Sequence, residues 1–454
     1  PEIESVDEIS NRCLALWFKE RKQDLNELIN RLERKQKDVL CEFIKKVEEN
    51  RYSYDRVLNN LKEGVKEYSD MEIADLKYSL DVALRNLLRM DEVRKLIDDP
   101  TLRTTKFRDY YTIIRGDGDN MGRVVRGILG VKPEEYIEAV LKNISNFLDD
   151  EIKKFYEELK NSILRIMNAL RKDDKCKDLS IIISPSYHSS ISASLMATSI
   201  KDIRAIKRNK GLVIYSGGDD IIALAPTEKA LDIIIDTRKN YWAFGEDKGF
   251  HKFMRGGLII PALVAYGRSY GVRYAHIMDP MQSEIRITST LLDTAKDSLW
   301  TSLKDNSRIR KDSIAISYGR VSTERSMLYA RLPLYIAKEE PGALLKFSKN
   351  IWYNMLNGVI SMNLPTDYLD NENTISLIVM SRRFEDAESV LRYILERNIA
   401  IPEKENITRS LIREMSTMKI YEYYNISMKE KVSKEDLLVN NMFYLVQILR
   451  NIPR

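Results

Sequence analysis

The chain is poor in the residues that build metal cages and covalent staples. Its 454 residues include three cysteines and three histidines. Cys13, Cys41 and Cys176 lie far apart, no C-x-x-C pair exists, and neither a disulfide framework nor a zinc knuckle is expected. Scarce histidine also sets aside haem ligation and most zinc chemistry. No stretch approaches the ~20 uninterrupted apolar residues that span a bilayer. The opening PEIESVDEIS is acidic where a secretory leader starts basic, so a cytoplasmic protein without membrane contact is expected. No proline lies between Pro1 and Pro100, and Gly64 is the single glycine there.

What is present is the mix of an ordered globular protein, 44% hydrophobic and 31% charged. At about 100–200 residues per domain the length suits two to four domains. The formal net charge is +5, unevenly spread. Residues 1–105 carry 20 basic and 23 acidic side chains, 106–320 carry 35 and 28, and 321–454 carry 18 and 17. The middle excess suits phosphate-bearing ligands, and equally a solvated surface.

Three regions follow from periodicity. In 1–105, Leu25, Leu28, Ile29 and Leu32, then Leu40, Phe43, Ile44 and Val47, recur at helical spacing, predicting a helical domain that serves as scaffold or docking surface. The heptad is not sustained past Tyr52, Tyr54 and Tyr68, which argues against a coiled coil. In 106–320, short β-branched and aromatic runs predict strands at Tyr110–Arg115, Leu179–Ser184, Leu212–Ser216, Ile221–Leu224, Gly257–Tyr266 and Ser313–Tyr318. Helices over Pro133–Met167 and Ser190–Lys207 interleave with them, so a mixed α/β or α+β sheet domain is expected. In 321–454, helices are predicted at Leu344–Ile360, Glu385–Glu396, Thr408–Tyr424 and Ser433–Leu449, the last opened by a Ser433-x-x-Asp436 capping box. Tyr421, Tyr423 and Tyr424 form either a stacking surface or core packing.

Two acidic motifs carry the chemistry. Tyr215-Ser216-Gly217-Gly218-Asp219-Asp220 joins two apolar strands. A Gly-Gly pair allows the positive backbone angles of a tight hairpin and close approach of a nucleotide. An ordinary turn with surface aspartates has the same spelling. Arg115-Gly116-Asp117-Gly118-Asp119-Asn120-Met121-Gly122 follows the first strand. Its carboxylates are expected to project together into one solvent-filled mouth, with the Gly118 carbonyl accessible. Mg²⁺ prefers such oxygen ligands, with substrate phosphates completing its shell. If the two strands are neighbours, Asp117 and Asp219 bring carboxylates together across 102 positions, as a two-metal site requires.

A strand-end DGDNMG, intervening helices and a GGDD hairpin resemble the cyclase-polymerase palm in the large subunit of type III CRISPR effector complexes, closest to the Cmr type and related to GGDEF diguanylate cyclases. Ser184-Pro185-Ser186-Tyr187-His188-Ser189-Ser190-Ile191-Ser192 resembles the segment preceding that hairpin, and Thr294-Ala295-Lys296 resembles the helical element whose lysine holds a triphosphate. The resemblance implies a ferredoxin-like α+β palm over 106–320, flanked by an N-terminal helical domain (1–105) and a C-terminal one (321–454). It implies a nucleotidyltransferase making cyclic oligoadenylate from ATP with Mg²⁺ or Mn²⁺, in antiviral defence. Asp117, Asp219 and Asp220 would hold metal, Asp219 most firmly, while Gly217, Gly218 and Gly118 line the phosphate path. Lys296 would clamp phosphates, and His188 and Ser192 lie near a base or ribose. Implied partners are the other effector subunits, guide RNA and target RNA. The family's large subunit usually begins with an HD nuclease and a first palm. Here His188, His251 and His276 precede Ser, Lys and Ile, so no His-Asp dipeptide exists and a C-terminal portion without the nuclease is expected. The four-cysteine zinc site of many members is missing. Because the family binds its ATP pair between two palms, a separate chain carrying the first palm and HD domain is a further expected partner. A non-catalytic structural subunit of the same assembly is the rival reading. A free-standing diguanylate cyclase fits less well, since GGDD replaces GGDEF.

Overall fold

The computed structural model describes residues 6–32, 34–48, 80, 82–97, 109–128, 132–135, 137–138, 150–241, 250–252, 259–261, 267–319, 328–336, 340–399, 404–427 and 436–452. Tyr52, Tyr54, Tyr68 and Ser433 fall outside them.

Near the N-terminus, α1 (Val6–Ile29), α2 (Arg34–Glu48) and the short α3 (Asp91–Leu96) bury the apolar stripes read from the sequence. Leu14, Phe18 and Leu25 meet Leu40, Phe43, Leu84 and Leu87 in one cluster. A second contact joins α1 to the sheet, where Ile9 packs with Tyr111, Ile113 and Leu224.

The sheet has six strands in the order β10-β9-β6-β1-β3-β2. Here β1 is Tyr110–Gly118, β2 Leu212–Gly217, β3 Asp220–Pro226, β6 Arg268–His276, β9 Ser313–Tyr318 and β10 Leu328–Pro333. Between β1 and β2 come α4 (Met121–Val125), α5 (Asp150–Leu170) and α6 (Pro185–Arg208); α7 (Ala230–Tyr241) follows β3, and α8 (Met281–Lys296) links β6 to β9. The set β1-α6-β2-β3-α7-β6, with β1 central between β3 and β6, is the ferredoxin-like split βαβ arrangement. Beyond it, α8 crosses over to β9, which runs parallel to β6. A separate ladder pairs β4 (Phe250–Lys252) with β5 (Ile259–Pro261), and a four-stranded sheet orders β12-β11-β7-β8, with β7 Leu299–Ser302, β8 Arg308–Arg310, β11 Tyr423–Asn425 and β12 Asp436–Leu437.

Alternation along the strands splits the burial. Ile114, Ile221, Ala223, Val272, Tyr274 and Ile316 face a core that continues into the C-terminal helices. Those are α9 (Ala343–Leu356), α10 (Leu364–Asp370), α11 (Glu372–Met380), α12 (Phe384–Asn398), α13 (Lys404–Thr417) and α14 (Leu438–Asn451). The sheet is thus α+β with helices on both sides.

Several local expectations need correction. Leu179–Ser184 forms no strand; it is a connection held by Ser180 N–H donating to Gly127 O at 2.8 Å, and Ser184 caps α6, its Oγ accepting from Tyr187 N–H at 3.1 Å. Of the strand expected at Gly257–Tyr266 the described part, Ile259–Pro261, is β5 and the remainder lies outside the described residues, while a strand the sequence did not announce runs over Arg268–His276. Two arginines and a histidine disguised β6, although every one of its nine residues is buried. The helix expected over Thr408–Tyr424 stops at Thr417; Lys419 then adopts φ 54°, and Tyr423–Asn425 pairs with β7. Tyr421 and Tyr423 are buried, as core packing requires. α14 starts at Leu438 with no side-chain cap, while Asp436 ion-pairs Arg331 at 3.2 Å.

Candidate active site at the β2–β3 hairpin

The central position of β1 determines what it carries to the sheet end. Its ladder with β3 runs from Tyr111 opposite Pro226 to Gly116 opposite Ile221. One residue further, the same register sets Asp117 against Asp220, and directly opposed antiparallel residues project from the same face. On the other side of β3, Gly217 pairs with Asp220 to close the hairpin, and Gly218 takes φ +62° at the turn. A side chain on Gly118 would place its Cβ 2.7 Å from Asp219 Cβ, so the hairpin rests directly on the β1 backbone. Asp117, Asp219 and Asp220 therefore gather at one corner, with Gly118, Gly217 and Gly218 between them.

Lys296 closes the group. It is the last residue of α8, and its Nζ forms an ion pair with Asp117 Oδ2. Electrostatics register the crowding. Burial raises the Asp219 carboxyl above its ordinary range and repulsion from Asp117 adds to it, while Arg268 and Lys296 oppose. Burial likewise raises Asp220, reinforced by Asp117 and Asp219 and opposed by Arg115 and Lys296. Carboxylates that repel one another in a partly desolvated corner favour a cation among them.

Asp119 departs from expectation. It does not share the mouth with Asp117. At 1% exposure it points inward, its Oδ1 accepting from Ser269 Oγ at 2.9 Å and its Oδ2 from Asp312 N–H at 2.8 Å. The strand ends at Gly118, and Asn120 turns the chain into α4 at φ 59°, so the strand alternation no longer applies. Burial, then repulsion from Asp312, pushes the Asp119 carboxyl up to about 7. Its role is to pin the end of β1 to β6 and to the start of β9.

His188 and Ser192 are exposed on the first two turns of α6. His188 donates its N–H to Ser184 O at 3.1 Å inside the helix, and its ring lies edge-on to Tyr187. Among the described residues neither hydrogen-bonds the acidic group.

Sequence reading missed a support beneath the site. Arg268 Nη1 donates to Asp202 Oδ2 at 2.7 Å with both side chains buried, and its guanidinium stacks 4.3 Å from the Tyr241 ring centroid. Tyr241 Oη presses against Gly118 and lies 3.2 Å from Met121 Sδ. Asp202 stands 66 residues from Arg268, and no spacing rule connects them.

Among the described residues, no three His, Cys, Asp or Glu side chains form a closed cation cage. The donors at the hairpin are all carboxylates, and Lys296 already puts a positive charge on Asp117. This suits a hard divalent cation whose shell is shared with substrate phosphates, and it does not suit a resident structural metal.

Fold and site together define a palm domain flanked by helices. Residues 110–306 match the family described as Cas10/Cmr2, second palm domain. The matched segment contains Asp117, Asp219, Asp220 and Lys296, and the relatives to which the chain is similar carry the Cmr2 description. The chain is 24% identical over 356 residues to the CRISPR system CMR subunit Cmr2 of Saccharolobus solfataricus, covering 64% of this chain and 34% of the relative. It is 26% identical over 232 residues to the Cmr2 of Pyrococcus furiosus, covering 48% and 22%. The chain therefore spans about a third or less of these curated relatives. Two cryo-EM structures of Type III-B Cmr-beta, one in the apo state and one bound to cognate target RNA, share the fold at TM-score 0.61 and 19% identity, covering 99% and 100% of this chain and 47% and 48% of theirs.

Proposed function

We propose that the chain is the palm-bearing part of a type III RNA-guided effector and converts ATP to cyclic oligoadenylate once the complex binds target RNA. The observation that carries this reading is the convergence of Asp117, Asp219 and Asp220 under Lys296 at one sheet corner. Mg²⁺ or Mn²⁺ bound there would neutralise the triphosphate and favour ionisation of the attacking 3′-hydroxyl. Asp117 and Asp220, opposed on one face, are the residues to hold it, with Asp219 completing the group from the turn. This modifies the ranking expected from the motif, which favoured Asp219. Lys296, held by Asp117, is within reach of phosphate oxygens and serves as a compact point charge. Gly217 and Gly218 let the phosphate chain lie on the hairpin backbone. Each cycle forms one 3′–5′ phosphodiester and releases pyrophosphate, with no covalent protein intermediate.

Guide RNA, target RNA and the other Cmr subunits are the proposed partners, supported by the names of the relatives and by the RNA-bound structural neighbour. A second palm on another chain or segment would complete the ATP pair. The purely structural alternative leaves three mutually repelling carboxylates without purpose. The test is Asp219→Ala with Asp220→Ala in the assembled, target-bound complex, with products resolved by mass spectrometry. Assembly is expected to persist while cyclic product disappears. Product formation at wild-type level by the double variant would overturn the proposal.

A further inference from the structure

Arg115 belongs to neither acidic motif's assigned chemistry, yet it sits two residues before Asp117 on the same strand and therefore on the same face. Its place is unusual for a structural arginine. It follows the buried Ile113 and Ile114 in an inner strand of the sheet and is itself half-buried, so its charge is partly withdrawn from water without a carboxylate partner. Among the described residues no carboxylate lies within ion-pair distance of it. Its recorded side-chain hydrogen bond runs from Nη1 to Ser289 Oγ at 2.7 Å. Ser289 is itself fixed by donating to Ile285 O at 3.0 Å. One edge of the guanidinium is thus anchored on α8, and a guanidinium has five N–H donors in a rigid fork. Ser289 and Lys296 are seven residues, two helical turns, apart on α8. One helix therefore holds two cationic side chains along the row of carboxylates, Lys296 directly and Arg115 through Ser289.

We infer that Arg115 is a second phosphate-binding residue of this site, oriented by Ser289, which acts with Lys296 as a two-cation clamp on the polyphosphate of a nucleoside triphosphate. The planar fork suits two oxygens of one phosphate, whereas Lys296 contributes a point charge. The inference rests on the nucleotidyl-transfer reading and deepens it. Ser289 is a positioning residue, since it touches the guanidinium and not the ligand.

The test compares ATP and AMP binding by the assembled complex in Mn²⁺, with wild-type chain, Arg115→Gln, Arg115→Lys and Ser289→Ala. Arg115→Gln is expected to weaken ATP on the order of tenfold or more, as loss of a charge-assisted hydrogen bond does, and to leave AMP unchanged. Arg115→Lys should recover part of the loss and Ser289→Ala should show a smaller one, with KM for ATP moving more than kcat. ATP affinity in Arg115→Gln equal to wild type overturns the inference while leaving the proposed function standing. Equal losses for ATP and AMP overturn it too, because they report general damage to the palm. If wild-type complex binds no ATP, the proposed function fails and this inference with it.

Discussion

Removing the acid beneath the site should be far more damaging than its distance from the surface chemistry suggests. Arg268 and Asp202 are both buried and joined at 2.7 Å. Burial raises the Asp202 carboxyl against the pull of Arg268, while against its own burial the Arg268 guanidinium is raised by the Asp202 charge, so each charge depends on the other. Such a pair adds little net stability, yet breaking it leaves a buried guanidinium uncompensated at a cost of about 3–5 kcal/mol. Asp202→Ala should therefore lower the melting temperature of the palm by on the order of 10 °C, since 1 kcal/mol moves a domain of roughly 200 residues by about 2–4 °C. Asp202→Leu combined with Arg268→Met removes both charges and should recover most of the loss. Differential scanning calorimetry of the full chain reads both outcomes. Asp202→Ala melting with wild type, or the double variant falling by the sum of two single losses, would refute the argument.

Two further outcomes concern the end of β1. Asp119 is held near 7 in the folded protein against about 3.9 unfolded, so the folded state keeps its proton longer. Its contribution is fully present below about pH 4 and is lost as pH rises through 7, amounting to about 4 kcal/mol. Asp119→Asn, which can still accept from the Asp312 amide and donate to Ser269, should flatten stability between pH 4 and 7 in metal-free buffer; parallel denaturation curves for the two proteins would contradict this. Gly118→Ala should displace the hairpin, because its Cβ would overlap Tyr241 Oη and crowd Asp219 Cβ. Product synthesis should fall at least tenfold, about 1.4 kcal/mol, and Tyr241→Phe in the same chain should restore part of it; full activity in Gly118→Ala would mean the hairpin does not need that contact.

Much of the scaffold was legible because its signals are local. Leu25–Leu32 and Leu40–Val47 show helix periodicity within a few turns, and the GGDD spelling declares its hairpin through Gly218 alone. The convergence of Asp117 with Asp219 and Asp220 was inferable once both motifs were seen at strand ends. What stayed hidden depends on partners remote in sequence. β6 reads as polar until Arg268 meets Asp202 and Arg273 meets Glu284, both pairs buried. Asp119 reads as a twin of Asp117 until the left-handed turn at Asn120 swings it inward. The helix expected to continue to Tyr424 yields to a strand because β7 offers hydrogen bonds there.

The core shared by the sheet and the C-terminal helices bears on how the protein can be divided. Ile314, Ile316 and Leu332, on strands beyond residue 306, lie in one cluster with Ile114, Val272, Phe347, Phe443 and Leu445. A fragment excised at the end of the family match would lose β8 to β12, two of them from the six-stranded sheet, and the six helices α9 to α14, leaving the apolar face behind the hairpin wet. The smallest independently folding piece that retains the acidic corner must therefore run through α14.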